Sequence, residues 1–313
     1  MASPDVPSRR DEWSGGKPAP RDPPVLRAAV IRHPVAAFLV LVLSISVGLA
    51  LLPIPAGLYG PLENILGMAV PAFLVTAVVG GRDGVRDLAG RCLRWRVALR
   101  WYALALLALP VGLLLALTVL YGADPLRALA DNWPLVFTSF LPTLAFMVVL
   151  NNVAEEAGWT GFLFARLQDR HGPIRAALLV TIAFWLWHLP GFVHDAGWAL
   201  GAALAGFLLL PHLASRLIVG WLYNATGASV LIAGLFHAMH NATVNPTGLG
   251  VAVIGLPQVD VLVVLSGLVV LAGVAVLLAT RRRLGRARPH GAALHPRGSS
   301  RTRVGRSRTS GSR

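Results

Sequence analysis

Blocks of apolar residues, each about as long as a bilayer-spanning helix, run through this sequence and leave it few folds. A helix needs roughly 20 apolar residues to cross the hydrocarbon core. On that basis spans are expected near 35–57, 63–80, 101–121, 134–152, 174–190, 198–219, 228–245 and 258–280. The fourth could continue through Glu155 and Glu156 as one long helix, and the fifth is short enough to be partly re-entrant. Composition agrees. The chain is 55% hydrophobic and 13% charged, where a soluble domain carries about 25% charged residues. The expected fold is all-α: a polytopic membrane protein, a bundle of about eight transmembrane helices.

Three regions follow. Residues 1–33 are polar and Pro-rich and read as a disordered N-terminal tail, without the short charged stub and brief apolar run of a signal peptide. Residues 34–280 hold the spans. Residues 281–313 carry eleven arginines and no acid, a basic disordered tail. The net charge of +14 therefore lies mostly beside a membrane span. That favours anchoring against anionic lipid over nucleic-acid binding. Residues 81–101 hold six arginines, with Val85, Leu88, Cys92, Trp95 and Leu99 at helical spacing, which predicts an amphipathic helix on the membrane surface. With basic residues 165–175, the positive-inside rule puts both loops and both tails in the cytoplasm of a multi-pass protein of the cell membrane. One cysteine, Cys92, leaves no internal disulfide.

Ionisable groups inside a membrane are costly and usually face a cavity or one another. Most acids here, Glu63 among them, fall in tails, loops or span ends. Glu155 and Glu156 are the exception, following some twenty uncharged residues. Adjacent helical positions diverge by about 100°, so the two can edge one cavity without doing one job. Phe184 and His188 share a helical face, as do His237 and Asn241, with His240 beside them. Singly these are compatible with structural roles or interhelical hydrogen bonding. Together they form a set able to activate water and to donate hydrogen bonds to an oxyanion. Glu155, His188 and His237 could instead hold Zn²⁺ with one position left for water, although the spacing H-E-x-x-H is absent. A proton-coupled transporter would also use such residues, but no repeated halves are visible.

The stretches "EEAGWT" (155–160), "FWLWH" (184–188) and "HAMHN" (237–241) resemble, in order, the three motifs E-E-x-x-x-R, F-x-x-x-H and H-x-x-x-N of the CPBP family. These are the CAAX-protease and bacteriocin-processing, or Abi, intramembrane endopeptidases, related to the type II CAAX prenyl endopeptidases. The resemblance covers roughly residues 35–280. It implies Glu155 as general base with His188 as partner, His237 and Asn241 as oxyanion donors, Glu156 in a supporting or metal-related role, and Phe184 as a packing position. It implies hydrolysis of hydrophobic or lipid-modified, CAAX-like peptides, with either no cofactor or a divalent metal such as zinc. Membrane lipid is the other implied partner. The sequence departs from the pattern once: the arginine of the first motif is Thr160. Threonine supplies neither the charge nor the fork of donors, which predicts a weaker or differently tuned peptidase. The alternative is an inactive membrane-binding or immunity protein of the same family.

Overall fold

The computed structural model describes residues 25–285 of the chain. Among them there are helices and no strands. Helix α1 is Val25–Arg32 and α2 is Pro34–Ala50, with a bend of 104° between them. Residues 25–32 thus form a helix inside the stretch read as an unstructured tail. The remainder of both tails lies outside the described residues. Helix α3, Gly57–Cys92, breaks at Gly81. Helix α4 is Leu99–Tyr121 and the short α5 is Asp124–Asp131. Helix α6 occupies residues 133–171 and includes π-helical Val148–Phe164. Helices α7 (173–196) and α8 (198–225) form one continuous stretch turned at Gly197. Helix α9 is Val230–Val244 and α10 is Gln258–Ala279.

Each of the eight expected spans overlaps a helix, although the first, 35–57, runs past the end of α2 at Ala50. Five helices are long and apolar enough by themselves to cross a membrane, or six if α1 and α2 form one bent span. The difference from eight has three causes, the first being that α2 has only 17 residues. The fifth and sixth spans join in the single stretch Pro173–Ala225, and α9 has only 15 residues.

Why the chain needs lipid is plain on α4. Ala105, Leu109, Leu113 and Leu117 are buried on its inner face, at most 4% exposed. Leu107, Val111, Leu115 and Val119 lie on another face and are 50–85% exposed. A soluble helix carries polar residues on its outer face; here the outer face is as apolar as the inner. The chain is a multi-pass membrane protein.

With no hydrophobic drive between helices in lipid, close van der Waals packing holds the bundle. One side packs Phe38, Trp159, Phe162, Phe184 and Trp187 between α2, α3, α6 and α7. The other packs Leu113, Leu222, Phe236 and Leu265 between α4, α8, α9 and α10. Helices α8 and α10 meet where Gly273 faces Ala214. A Cβ on residue 273 would stand 2.9 Å from the Ala214 Cα and 3.1 Å from its carbonyl oxygen. Both are backbone atoms that cannot swing aside. Gly273→Val should therefore push α8 outward and destabilise the protein by about 1–3 kcal/mol, read as a lower Tm in detergent.

The expected surface helix over 81–101 is shorter than its spacing suggests. It ends at Cys92, and residues 93–98 form a non-helical turn before α4. Its arginines also divide their work. Arg91 turns inward, donating from Nη1 to the Gly161 carbonyl at 2.8 Å and the Tyr223 hydroxyl at 2.9 Å. Arg94 donates to the Gly227 carbonyl, while Ser229 Oγ donates to the Arg94 carbonyl at 2.7 Å. These bonds to carbonyls stop the helix and pin the turn against α6, α8 and the start of α9.

Candidate functional site

The site is built where the π-helical stretch of α6 packs along α9, with α7 and α8 alongside. An unbroken helix through the two glutamates agrees with the sequence reading, but its hydrogen bonding is wider, as in Ala165 N–H to Thr160 O. π-helical turns are rare and concentrate at functional sites. Here the stretch carries Glu155, Glu156 and Thr160, all at most 2% exposed.

The adjacent glutamates sit in different surroundings. Glu156 is surrounded by donors. Thr160 Oγ1 donates to its Oε2. Arg216 Nη2 donates to its Oε1 at 2.7 Å, and His237 Nδ1 lies 2.8 Å from the same oxygen. Glu155 faces the other side of the imidazole: its Oε1 stands 3.7 Å from His237 Nε2, beyond hydrogen-bond length. His237 therefore lies between the two carboxylates, its Nδ1 side held by Glu156 and its Nε2 side turned to Glu155.

His188 is held from the backbone of its own helix. Its Nδ1 lies 2.9 Å from the Phe184 carbonyl, which fixes the proton on Nδ1 and leaves Nε2 as the acceptor nitrogen. Phe184 is the common floor of the site. Its ring centroid is 4.2 Å from His188, 4.9 Å from His212, 6.1 Å from His237 and 4.5 Å from the Arg216 guanidinium carbon. Asn241, one turn beyond His237, accepts from His240 Nδ1 at 3.2 Å through its Oδ1.

Two cavities meet at these residues. The first, about 390 Å³, is lined by Glu63, Glu155, Asp195 and Asn245. The second, about 280 Å³, is largely apolar, with Leu204, Leu208 and Leu262 beside His212, His237 and His240. His188 and Asn241 line both. An extended chain passing from one cavity to the other would run past His188 and Asn241 with Glu155 on one side and His237 on the other.

All five residues expected at the site converge there: Glu155, Glu156, His188, His237 and Asn241. Their ligand atoms group differently from the metal set read from the sequence. Glu155, Glu156 and His237 offer atoms within 4.8 Å of one another, and His188 is not in that group. Glu63 is a further difference. Read as a span-end residue, it is 6% exposed and lines the first cavity, bonded by Ser46 Oγ and, at 3.3 Å, by the Tyr59 hydroxyl. The reason is that α3 starts at Gly57, a full turn and more before Glu63, so the carboxyl lies inside the bundle.

Arg216 is a further residue of the site and lies outside the three motif stretches. The signal was present: it is the single Arg or Lys between Arg175 and Arg281 and sits in an apolar span, where an ionisable residue suggests function.

Residues 137–243, which contain every residue just named on α6 to α9, match the family described as type II CAAX prenyl endopeptidase Rce1-like. A search of curated proteins finds CAAX prenyl protease 2 of Methanococcus maripaludis, 32% identical over 112 residues. That similarity covers 33% of this chain and 40% of the relative's length.

Proposed function

We propose, from the match of residues 137–243 to the type II CAAX prenyl endopeptidase Rce1-like family, that this chain is an intramembrane endopeptidase of that family. The observation that carries this reading is the placement of Glu155, His188 and Asn241 on one cavity, with His237 between the carboxylates. Its substrates are prenylated or otherwise hydrophobic peptides reaching the site laterally from the bilayer. It works in the cell membrane with both termini in the cytoplasm, as the arginine-rich flanks favour.

On this reading water lies between Glu155 and His188 Nε2. Glu155 removes a proton as the water oxygen attacks the peptide carbonyl carbon, while the imidazole aligns the water. The negative charge that develops on the carbonyl oxygen is met by the Asn241 amide N–H groups, while His237, held through Nδ1 by Glu156, lines the same site. Collapse breaks the C–N bond, and Glu155 returns its proton to the leaving amine. Glu156 does not touch the reacting atoms; it holds His237 in place.

The donor set does not suit a resident zinc ion. Of the three residues close enough to share a metal, Glu156 already accepts from Arg216, Thr160 and His237. A cation at Glu156 would face the Arg216 guanidinium, and zinc would have to displace the His237 Nδ1 contact. Glu155 and His237 Nε2 remain, one ligand short of the three a catalytic zinc takes. Prolonged treatment with EDTA or 1,10-phenanthroline should therefore leave the cleavage rate within about twofold of the untreated enzyme, where loss of a water-activating metal removes most of the rate. A loss restored by added zinc would sink the metal-free mechanism.

The test of the activity uses purified protein in nanodiscs and a library of fluorogenic hydrophobic peptides, farnesylated ones included. Cleavage by the wild type that Glu155→Ala and His188→Ala both lose is the expected result. A protein that cleaves nothing, or whose biological effect survives both substitutions, points to the non-enzymatic alternative.

A further inference from the structure

A guanidinium buried at membrane depth is costly unless it is paired, and the site already described explains its partner but not its purpose. Arg216 is 3% exposed. It comes from α8, sixty residues from the carboxylate it contacts. Three features single it out. Its Nη2 and the Thr160 hydroxyl take the two different oxygens of Glu156, so positions 160 and 216 grip one carboxyl from two helices. Its guanidinium lies over the Phe184 ring, against which His188 also packs, an arrangement that fixes a cation in place. And the oxygen it holds is the one that holds His237 Nδ1.

We infer that Arg216 is the positioning cation of this site: it neutralises Glu156 from α8 and so does the work for which Thr160, one turn beyond Glu156, has no charge. The inference rests on the peptidase reading. Arg216 touches Glu156 on α6 and Phe184 on α7 and acts on His237 of α9 through Glu156. With Glu156 neutralised, Glu155 is the carboxylate left to exchange a proton with water. With Glu156 held, the His237 ring keeps Nε2 toward Glu155. Position 160 already reaches the same carboxyl, so a cation moved there could hold it too.

Exchange of the two residues tests this. Arg216→Thr should lower kcat about 100-fold, as expected when a supporting contact is lost and the reacting groups drift, with KM little changed. Arg216→Lys keeps the charge and a donor for Glu156 but loses the plane stacked over Phe184, so it should lose about tenfold, less than Arg216→Thr. The double variant Thr160→Arg/Arg216→Thr should recover about tenfold or more over Arg216→Thr alone. A bystander salt bridge would give neither the kcat-specific loss nor the recovery. Arg216→Thr with wild-type kcat, or a double variant no more active than the single one, overturns the inference. If the wild type cleaves no peptide, the peptidase reading itself has failed, and the exchange is then read from Tm in detergent. Arg216→Thr should lower it and Thr160→Arg should restore it; no restoration refutes the exchange on its own.

Discussion

Glu155→Gln reduces peptide cleavage by about 10²–10⁴-fold, the usual worth of a positioned general base, while leaving the protein as stable as the wild type. The second half of that expectation comes from the geometry. The buried Arg216 guanidinium pairs with Glu156 and not with Glu155, so the substitution strands no cation. An amide of the same shape fits the same place and cannot take the proton from water. Cleavage in nanodiscs and Tm in detergent, measured side by side, check both halves. A Glu155→Gln enzyme with more than a tenth of wild-type kcat would show that another group removes the proton.

Glu156→Ala gives the opposite signature. It leaves the Arg216 guanidinium buried with its carboxylate gone. Removing one partner of a buried pair typically costs about 3–5 kcal/mol, because the other charge stays behind in low dielectric. The expected outcome is a large drop in Tm, with lost activity following from it. Adding Arg216→Met to Glu156→Ala removes the stranded charge and should return much of the stability without returning activity. If Glu156→Ala alone is as stable as the wild type, Arg216 is not held by this pair. Two adjacent glutamates thus separate cleanly, one by rate at constant stability, the other by stability first.

The Thr160 departure takes a different meaning beside these results. Read along the chain, it removes a cation from the first motif. In the folded protein the carboxyl one turn away is gripped by that threonine and by an arginine. If Arg216 makes up for the charge missing at position 160, cleavage by the wild type relative to Arg216→Thr measures how completely.

Local and periodic features were legible in the residues themselves. Long apolar runs place helices because a backbone in lipid must bond to itself. Phe184 with His188, and His237 with Asn241, share faces because four residues is close to one turn. What the sequence by itself determined is therefore the helical membrane class, the approximate helix positions and the polar residues that the fold brings together. It did not give the break at Leu93 after the surface helix, the burial of Glu63 or the role of Arg216. The first depends on carbonyls that Arg91 and Arg94 find on α6 and the α8–α9 turn, and the second on where α3 starts. Arg216 meets Glu156 only because the chain turns at Gly197 and α8 packs on α10 through Ala214 and Gly273. No spacing rule spans sixty residues. Only the tertiary structure decided which cation holds which carboxyl, because that choice is made by helix packing and the cost of an unpaired buried charge.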